Sequence, residues 1–533
     1  MVATRKYNAI GSARLGALNW EEAGQALASL PVVIPLGGAA IEHGPHLPYD
    51  TDAIIATALV DAVAERFPIL VAPPIDYVYA PELDGRGGTM SLSADGFIGL
   101  VSDVVRSLAR HGARHIVFVA RGLSTLAPLQ IVSRESHESL GVTVAIASEA
   151  GLAHDARAAL LVDPTGYHAG EAETSLMLAI DPDRVRPDRA VSGSAGSPLS
   201  RTGLHEPVVI IPSHIDNETG VDGDPAAATA DVGRQIFEAT VAEIVAHLES
   251  ATRGWDAPPV PKREATVSFQ TVTPVVETGV RLRNCYADDA SAALTGHAVA
   301  VLPMGAASKE HGYHLPNQTD LLTAEALGNA AVAQLPVLLL PAFGYGYYPA
   351  FVDWPGSMSL SPAVYRRVVN DIIACLVRAG VRKVFLLDTG LSTRPVLEIA
   401  ARDALREHGI TVALATTELG RDAALELFDG EGTHANEDET ALMLAIAPDQ
   451  VDLARAVPDL RPSTVLERRD PFAPPAVIQG GKMRSASGVF GDPTKATAES
   501  GRAYLDAKVS DLNKFLREFI ELQTRDVRDA QVD

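Results

Sequence analysis

Little in this 533-residue chain could staple it covalently: it has two cysteines, Cys285 and Cys375, both in the second half and neither in a metal-type spacing. A disulfide framework is therefore excluded, and a cytoplasmic location is expected. Long apolar runs are missing as well. No stretch approaches the length of a membrane span, and the N-terminal segment has no extended apolar core, so neither a transmembrane helix nor a signal peptide is expected. Cations are scarce: 44 Lys and Arg against 67 Asp and Glu give a net charge of -23, spread along the chain. Such a surface repels nucleic acid and anionic membrane, because phosphate binding needs clustered Lys and Arg. A small-molecule substrate is the expected partner. Low-complexity tracts are also absent, and 47% hydrophobic residues is ordinary for a globular protein too long for a single core.

What the chain does have, it has twice. Residues 42–52 read E-H-G-P-H-L-P-Y-D-T-D and residues 310–320 read E-H-G-Y-H-L-P-N-Q-T-D. The same 268-residue offset pairs Gly88-Thr89-Met90-Ser91-Leu92 with Gly356-Ser357-Met358-Ser359-Leu360, and Gly122-Leu123-Ser124-Thr125 with Gly390-Leu391-Ser392-Thr393. H-A-G-E-A-E-T-S from His168 matches H-A-N-E-D-E-T-A from His434, and Gly223-Asp224-Pro225 matches Gly491-Asp492-Pro493. This is a tandem duplication of a whole domain. It predicts a first copy over 8–254, a Pro-rich linker over 255–265 and a second copy over 266–522.

Within each copy, short apolar runs (VVIPLG, HIVFVARG, VTVAIAS; AVAVLPMG, KVFLLDTG, TVALATT) alternate with stretches of helical period such as DAIIATALVDAVAERF. Continuous apolar strands are buried on both faces, which predicts an α/β fold with a mostly parallel sheet. Ligands bind at the carboxyl ends of such strands, and the His-rich phrase directly follows the first long one. Glu42, His43, His46 and Asp52, and in the second copy Glu310, His311, His314 and Asp320, form a divalent-metal donor inventory. His46 and His314 read equally well as ligands or as supports. A second cluster, His168 with Glu171 and Glu173, opens a helix, and His434, Glu437 and Glu439 repeat it. Imidazole and carboxylate near a bound water suit general acid and base work. Glu171 and Glu437 also read as ordinary acids of a first helical turn. The Gly-Thr-Met-Ser-Leu and Gly-Asp-Pro phrases read as turns, and Gly-Leu-Ser-Thr as a helix cap.

These phrases together resemble the creatininase (creatinine amidohydrolase) family over nearly the whole chain. The resemblance implies two tandem three-layer α/β/α domains and a homo-oligomer of the fused pseudo-dimer. It also implies zinc, manganese or iron, and hydrolysis of carbon–nitrogen bonds in small amides, cyclic ones included. It makes His43 and Asp52, and His311 and Asp320, metal ligands, with His168 and His434 as proton carriers backed by Glu173 and Glu439. Two departures follow. The family's metal-binding Glu, two residues before the His, is Ile41 here and Lys309 in the second copy, while an acid is adjacent at Glu42 and Glu310. The family's strand-end His is Leu123 and Leu391, and a further metal-binding Glu is Thr125 and Thr393. With those donors lost, one divalent metal per domain is expected, bound by Glu42, His43 and Asp52 and by Glu310, His311 and Asp320. The alternatives are a non-catalytic binding or assembly protein of the same fold, or a metal-dependent hydrolase of a lactone, a peptide or a sugar-derived ring.

Overall fold

The structure is a computed structural model that describes residues 11–149, 151–162, 166, 168–193, 218–253, 277–297, 299–415, 418–429, 432–460 and 485–522. The expected linker at 255–265 lies outside the described residues.

Each half builds a five-stranded, wholly parallel sheet. The first runs β1 (Ala13–Arg14), β3 (Leu70–Val71), β2 (Val32–Leu36), β4 (His115–Ala120) and β5 (Thr143–Ser148) in spatial order. The second repeats that order with β6 (Val280–Arg281), β8 (Leu338–Leu339), β7 (Ala300–Met304), β9 (Lys383–Asp388) and β10 (Thr411–Ala415). The register repeats as well: Val32 faces Ile116 across β2 and β4, and Ala300 faces Val384 across β7 and β9.

Alternate residues of the central strands feed two layers, as a period of two requires. Val32, Ile34 and Leu36 join Ile116 and Phe118 beneath the helices Ala94–Arg110 and Leu126–Leu140. Val33, Val117 and Val119 pack on the other face against Thr51–Ala64 and Ala230–Ala251. Each such fully buried side chain contributes about 1.5–3 kcal/mol. Helices therefore cover both faces of a buried parallel sheet, giving three layers per copy.

The first layer does not stop at the boundary between copies. Val101 and Val104 of Ala94–Arg110 share one apolar cluster with Val368 and Ile372 of Pro362–Arg378. Reciprocal bonds seal this face. Tyr77 Oη donates to Pro341 O and Tyr345 Oη to Pro73 O, both at 2.8 Å. Ser93 Oγ donates to Asp371 at 2.6 Å, and the Ser361 amide donates to Asp103 at 2.7 Å. The opening segment of each copy also braces the other's His-rich loop. Tyr49 N bonds Cys285 O at 3.0 Å, while Asn317 N and Gln318 N bond Leu18 O and Gly16 O at 2.9 Å. Among the described residues, no helix is long and apolar enough to cross a membrane.

Candidate metal-binding active site

β2 and β4 are sheet neighbours whose chain connections leave in opposite directions, so a crevice opens at their carboxyl ends. Three segments enter it in the first copy: the loop after Leu36, Arg121 directly after β4, and Glu149 directly after β5. Gly44, at φ +68°, lets the loop turn back after His43 where a side chain would strike Val221. The loop is anchored through backbone rather than side chain: Thr89 Oγ1 accepts from the Glu42 amide at 3.1 Å. That turn phrase, and its counterpart Ser357 on the Glu310 amide at 3.0 Å, thus positions the acid.

His43 is aimed by its Nδ1, 2.9 Å from Ile41 O, which leaves Nε2 for the crevice. Nε2 lies 3.5 Å from Asp52 Oδ1, in the first turn of Thr51–Ala64. His168 faces His43 with ring centroids 4.7 Å apart, and its Nε2 lies 3.7 Å from Glu42 Oε2. Glu42 Oε1 is held by the Gly44 amide at 2.6 Å. Three buried atoms around His43 then have no hydrogen-bond partner, Glu42 Oε2, Asp52 Oδ1 and His168 Nε2, although Arg86 Nε stands 3.6 Å from Glu42 Oε2. Unpaired buried polar atoms are costly, and two carboxylate oxygens with two imidazoles are what a single divalent ion takes. Burial disfavours the His43 imidazolium, but Asp52 and Glu173 outweigh it and hold His43 well above its ordinary value. Asp52 is buried too, yet His43 and Arg121 hold it below the usual carboxylate range.

Glu173 comes within reach of the same cluster, its ligand atom lying within 4.8 Å of those of His43 and His168. Both its oxygens are already engaged. One takes Arg121 Nη2 at 2.7 Å, and the other accepts the Ala169 amide at 2.6 Å. Ala169 has φ +52° and Ala435 φ +46°, a left-handed conformation that an alanine adopts only when held there. Glu173, expected to back a proton transfer, is instead clamping the turn that presents His168. Glu439 clamps Ala435 in the same way at 2.6 Å. His46 Nε2 reaches Thr174 Oγ1 at 2.9 Å and His314 reaches Thr440 at 2.8 Å, so both tie the loop to the neighbouring helix. Glu171 turns aside to the Val162 amide at 2.8 Å. The expected caps at Thr125 and Thr393 do not form, because these hydroxyls turn back to the carbonyls of Gly122 and Gly390.

Sequence patterns did not mark Arg121 or Glu149 as site residues. Arg121 is 3% exposed; its Nη1 pairs with Glu149 at 2.5 Å, Nη2 with Glu173, and Nε stands 3.6 Å from Asp52. The available signal was a cation placed at the end of the fully buried β4, the edge where chemistry belongs.

The second copy is arranged differently. Lys309 Nζ sits 2.6 Å from Asp320 Oδ2, His311 Nε2 3.1 Å from Asp320 Oδ1, and His434 Nε2 3.1 Å from Glu310 Oε2. His311, His434 and Glu439 still converge within 4.8 Å. Burial pushes Glu310 up to about 8, and burial with the nearby Lys309 holds His434 down at about 3. A cation in contact with Asp320 opposes a second positive charge on the same carboxylate. Both copies thus bring two His and a Glu together, and in the second the Lys309 ammonium is in contact with Asp320.

A family profile described as "Creatininase: Creatinine amidohydrolase" matches residues 16–248 and 284–516. The chain belongs to the creatininase family. The relatives match less than half of this chain. The mycofactocin precursor peptide peptidase of Mycobacterium ulcerans is 34% identical over 254 residues, covering 45% of this chain and 94% of that protein. The creatinine amidohydrolase of Pseudomonas putida is 33% identical over 205 residues, covering 33% of this chain and 75% of that one. A crystal structure of a creatinine amidohydrolase aligns at 26% identity and TM-score 0.40, over 46% of this chain and 99% of its own. Creatininase relatives are thus named as hydrolases, one acting on a peptide and one on creatinine.

Proposed function

We propose that the first copy is a metal-dependent hydrolase site that cleaves a carbon–nitrogen bond of a small amide, cyclic amides included. The observation that supports this most strongly is the meeting of Glu42 Oε2, Asp52 Oδ1 and His168 Nε2, all buried and without a hydrogen-bond partner, around His43. Glu42, His43 and Asp52 would hold zinc, manganese or iron, which when bound supplies Lewis-acid polarisation and water activation. His168 stands across from His43 and is placed to carry the proton to the leaving nitrogen. Glu173 and Arg121 hold His168's turn and keep the surrounding acids paired. Burial of Glu42 and His43, each 1% exposed, keeps bulk water away from the reacting atoms.

The two relatives differ in the amide they are named for, so the substrate test spans both kinds. Chelator-treated protein reloaded with each metal is assayed on creatinine, other cyclic amides and short peptides, alongside His43→Ala. Retained metal with hydrolysis of one class, abolished in His43→Ala, is the expected result. A wild-type protein that retains no metal, or hydrolysis unchanged by His43→Ala, overturns it.

A further inference from the structure

Lys309 is an unusual residue to find in the interior of this site. Its backbone amide bonds Asn317 O at 2.9 Å, which turns the side chain inward, and the residue is 5% exposed. Nζ lies over the faces of Tyr348 and Phe351, 5.3 and 4.9 Å from their centroids, and 2.6 Å from Asp320 Oδ2. An ammonium boxed by two rings and one carboxylate has a fixed position. The other donors around it are paired with one another: His311 with Asp320, and His434 with Glu310.

The first copy shows what the same backbone looks like without this lysine. The equivalent residue is Ile41, and the corresponding atoms Glu42 Oε2 and Asp52 Oδ1 have no hydrogen-bond partners. Its own cations stand back: Arg121, from a different strand end, spends its terminal nitrogens on Glu149 and Glu173 and lies 3.6 Å from Asp52, and Arg86 lies 3.6 Å from Glu42. At the position of Arg121 the second copy has Thr389.

We propose that the Lys309 ammonium takes the place of the divalent ion in the second copy, so that this copy is a metal-free site balanced from within the chain. The fused protein is then a one-metal molecule, and the count of one rests on the reading of the first copy given above.

The test is a metal count on the full chain. Wild type, Lys309→Ile and Lys309→Met are stripped, reloaded with zinc or manganese, desalted and measured by elemental analysis, with circular dichroism to confirm folding. Wild type is expected to hold one ion per chain and the Lys309 variants two. Lys309→Ile combined with His311→Ala should return the count to one. Two ions in wild type, with one lost in His311→Ala, overturns the proposal, as does a folded Lys309 variant that gains no ion. Failure of the first-copy reading looks different: wild type would hold no ion, and the Lys309 variants would still gain one.

Discussion

The two copies agree in strand order and register, and even in the strained alanine beside each catalytic-type His, yet they balance the same acid with different cations. In the first, an arginine at the end of β4 is shared among Glu149, Glu173 and Asp52. In the second, a lysine in the loop after β7 sits on Asp320 alone. The shared part is what a duplicated backbone must keep to fold. The divergent part is where charge can be supplied from either of two neighbouring segments without disturbing a strand. The guanidinium stands 3.6 Å from Asp52, whereas the ammonium is in contact with Asp320 at 2.6 Å. The copies therefore differ in which segments bring positive charge to the acids: Arg86 and Arg121 in the first, Lys309 in the second.

The largest effect expected from this contrast is on activity. His43→Ala should lower hydrolysis by at least about 100-fold, whereas His311→Ala should leave it within a few-fold, read as kcat/KM on whichever amide is turned over. Equal losses in both variants would show that the copies work alike and would erase the contrast.

Stability should separate the two cations next. Arg121→Met strips the common partner from three buried carboxylates, and removing one side of a buried ion pair costs about 3–5 kcal/mol. Lys309→Met leaves a single carboxylate, still beside His311, so its cost should be the smaller of the two. Urea midpoints at neutral pH with unchanged m-values decide this; the reverse order would mean that Arg121 is not the keystone of its cluster.

A third contrast is sensitive to pH. Asp76 in the first copy occupies the place of Gly344 in the second, near Arg283, Asp50 and Glu325 where the copies meet. Burial, reinforced by Asp50 and Glu325 against the pull of Arg283, pushes its carboxyl up to about 6 from the ordinary 3.8. A folded value above the unfolded one means that the folded state holds the proton more tightly, so stability falls as pH rises from about 4 to about 6 and stays lower above that. Asp76→Asn should therefore gain about 1–2 kcal/mol at pH 8 and nothing at pH 4. A gain that is the same at both pH values would point to something other than the charge.

Much of this was legible in the residues. The doubled phrase fixed the duplication, and apolar runs of strand length alternating with helical periods gave parallel sheets with the site at their carboxyl edge. Glu42, His43, Asp52 and His168 do meet there, although only packing could show that Glu173 is engaged in holding Ala169. Arg121 stands at the end of an apolar strand run, but its partner Glu149 lies 28 residues away on the next strand end. Contacts across strand ends depend on which strands are neighbours, and no local pattern encodes that. Lys309 was likewise read as a missing ligand, when its contribution is a positive charge.

The smallest effect is expected where the copies are most alike. Tyr77 and Tyr345 exchange equivalent hydrogen bonds with Pro341 O and Pro73 O at the same 2.8 Å, both within the shared core. Each Tyr→Phe variant leaves one buried carbonyl without its donor, which costs about 1–2 kcal/mol. If the junction is two-fold in energy as well as in geometry, thermal unfolding should give the two variants losses equal within about 0.5 kcal/mol, the usual scatter between independent sites. A clear inequality would place the asymmetry of the copies at their junction as well as in their cations, so the symmetric packing would no longer serve as a neutral background for comparing the two sites.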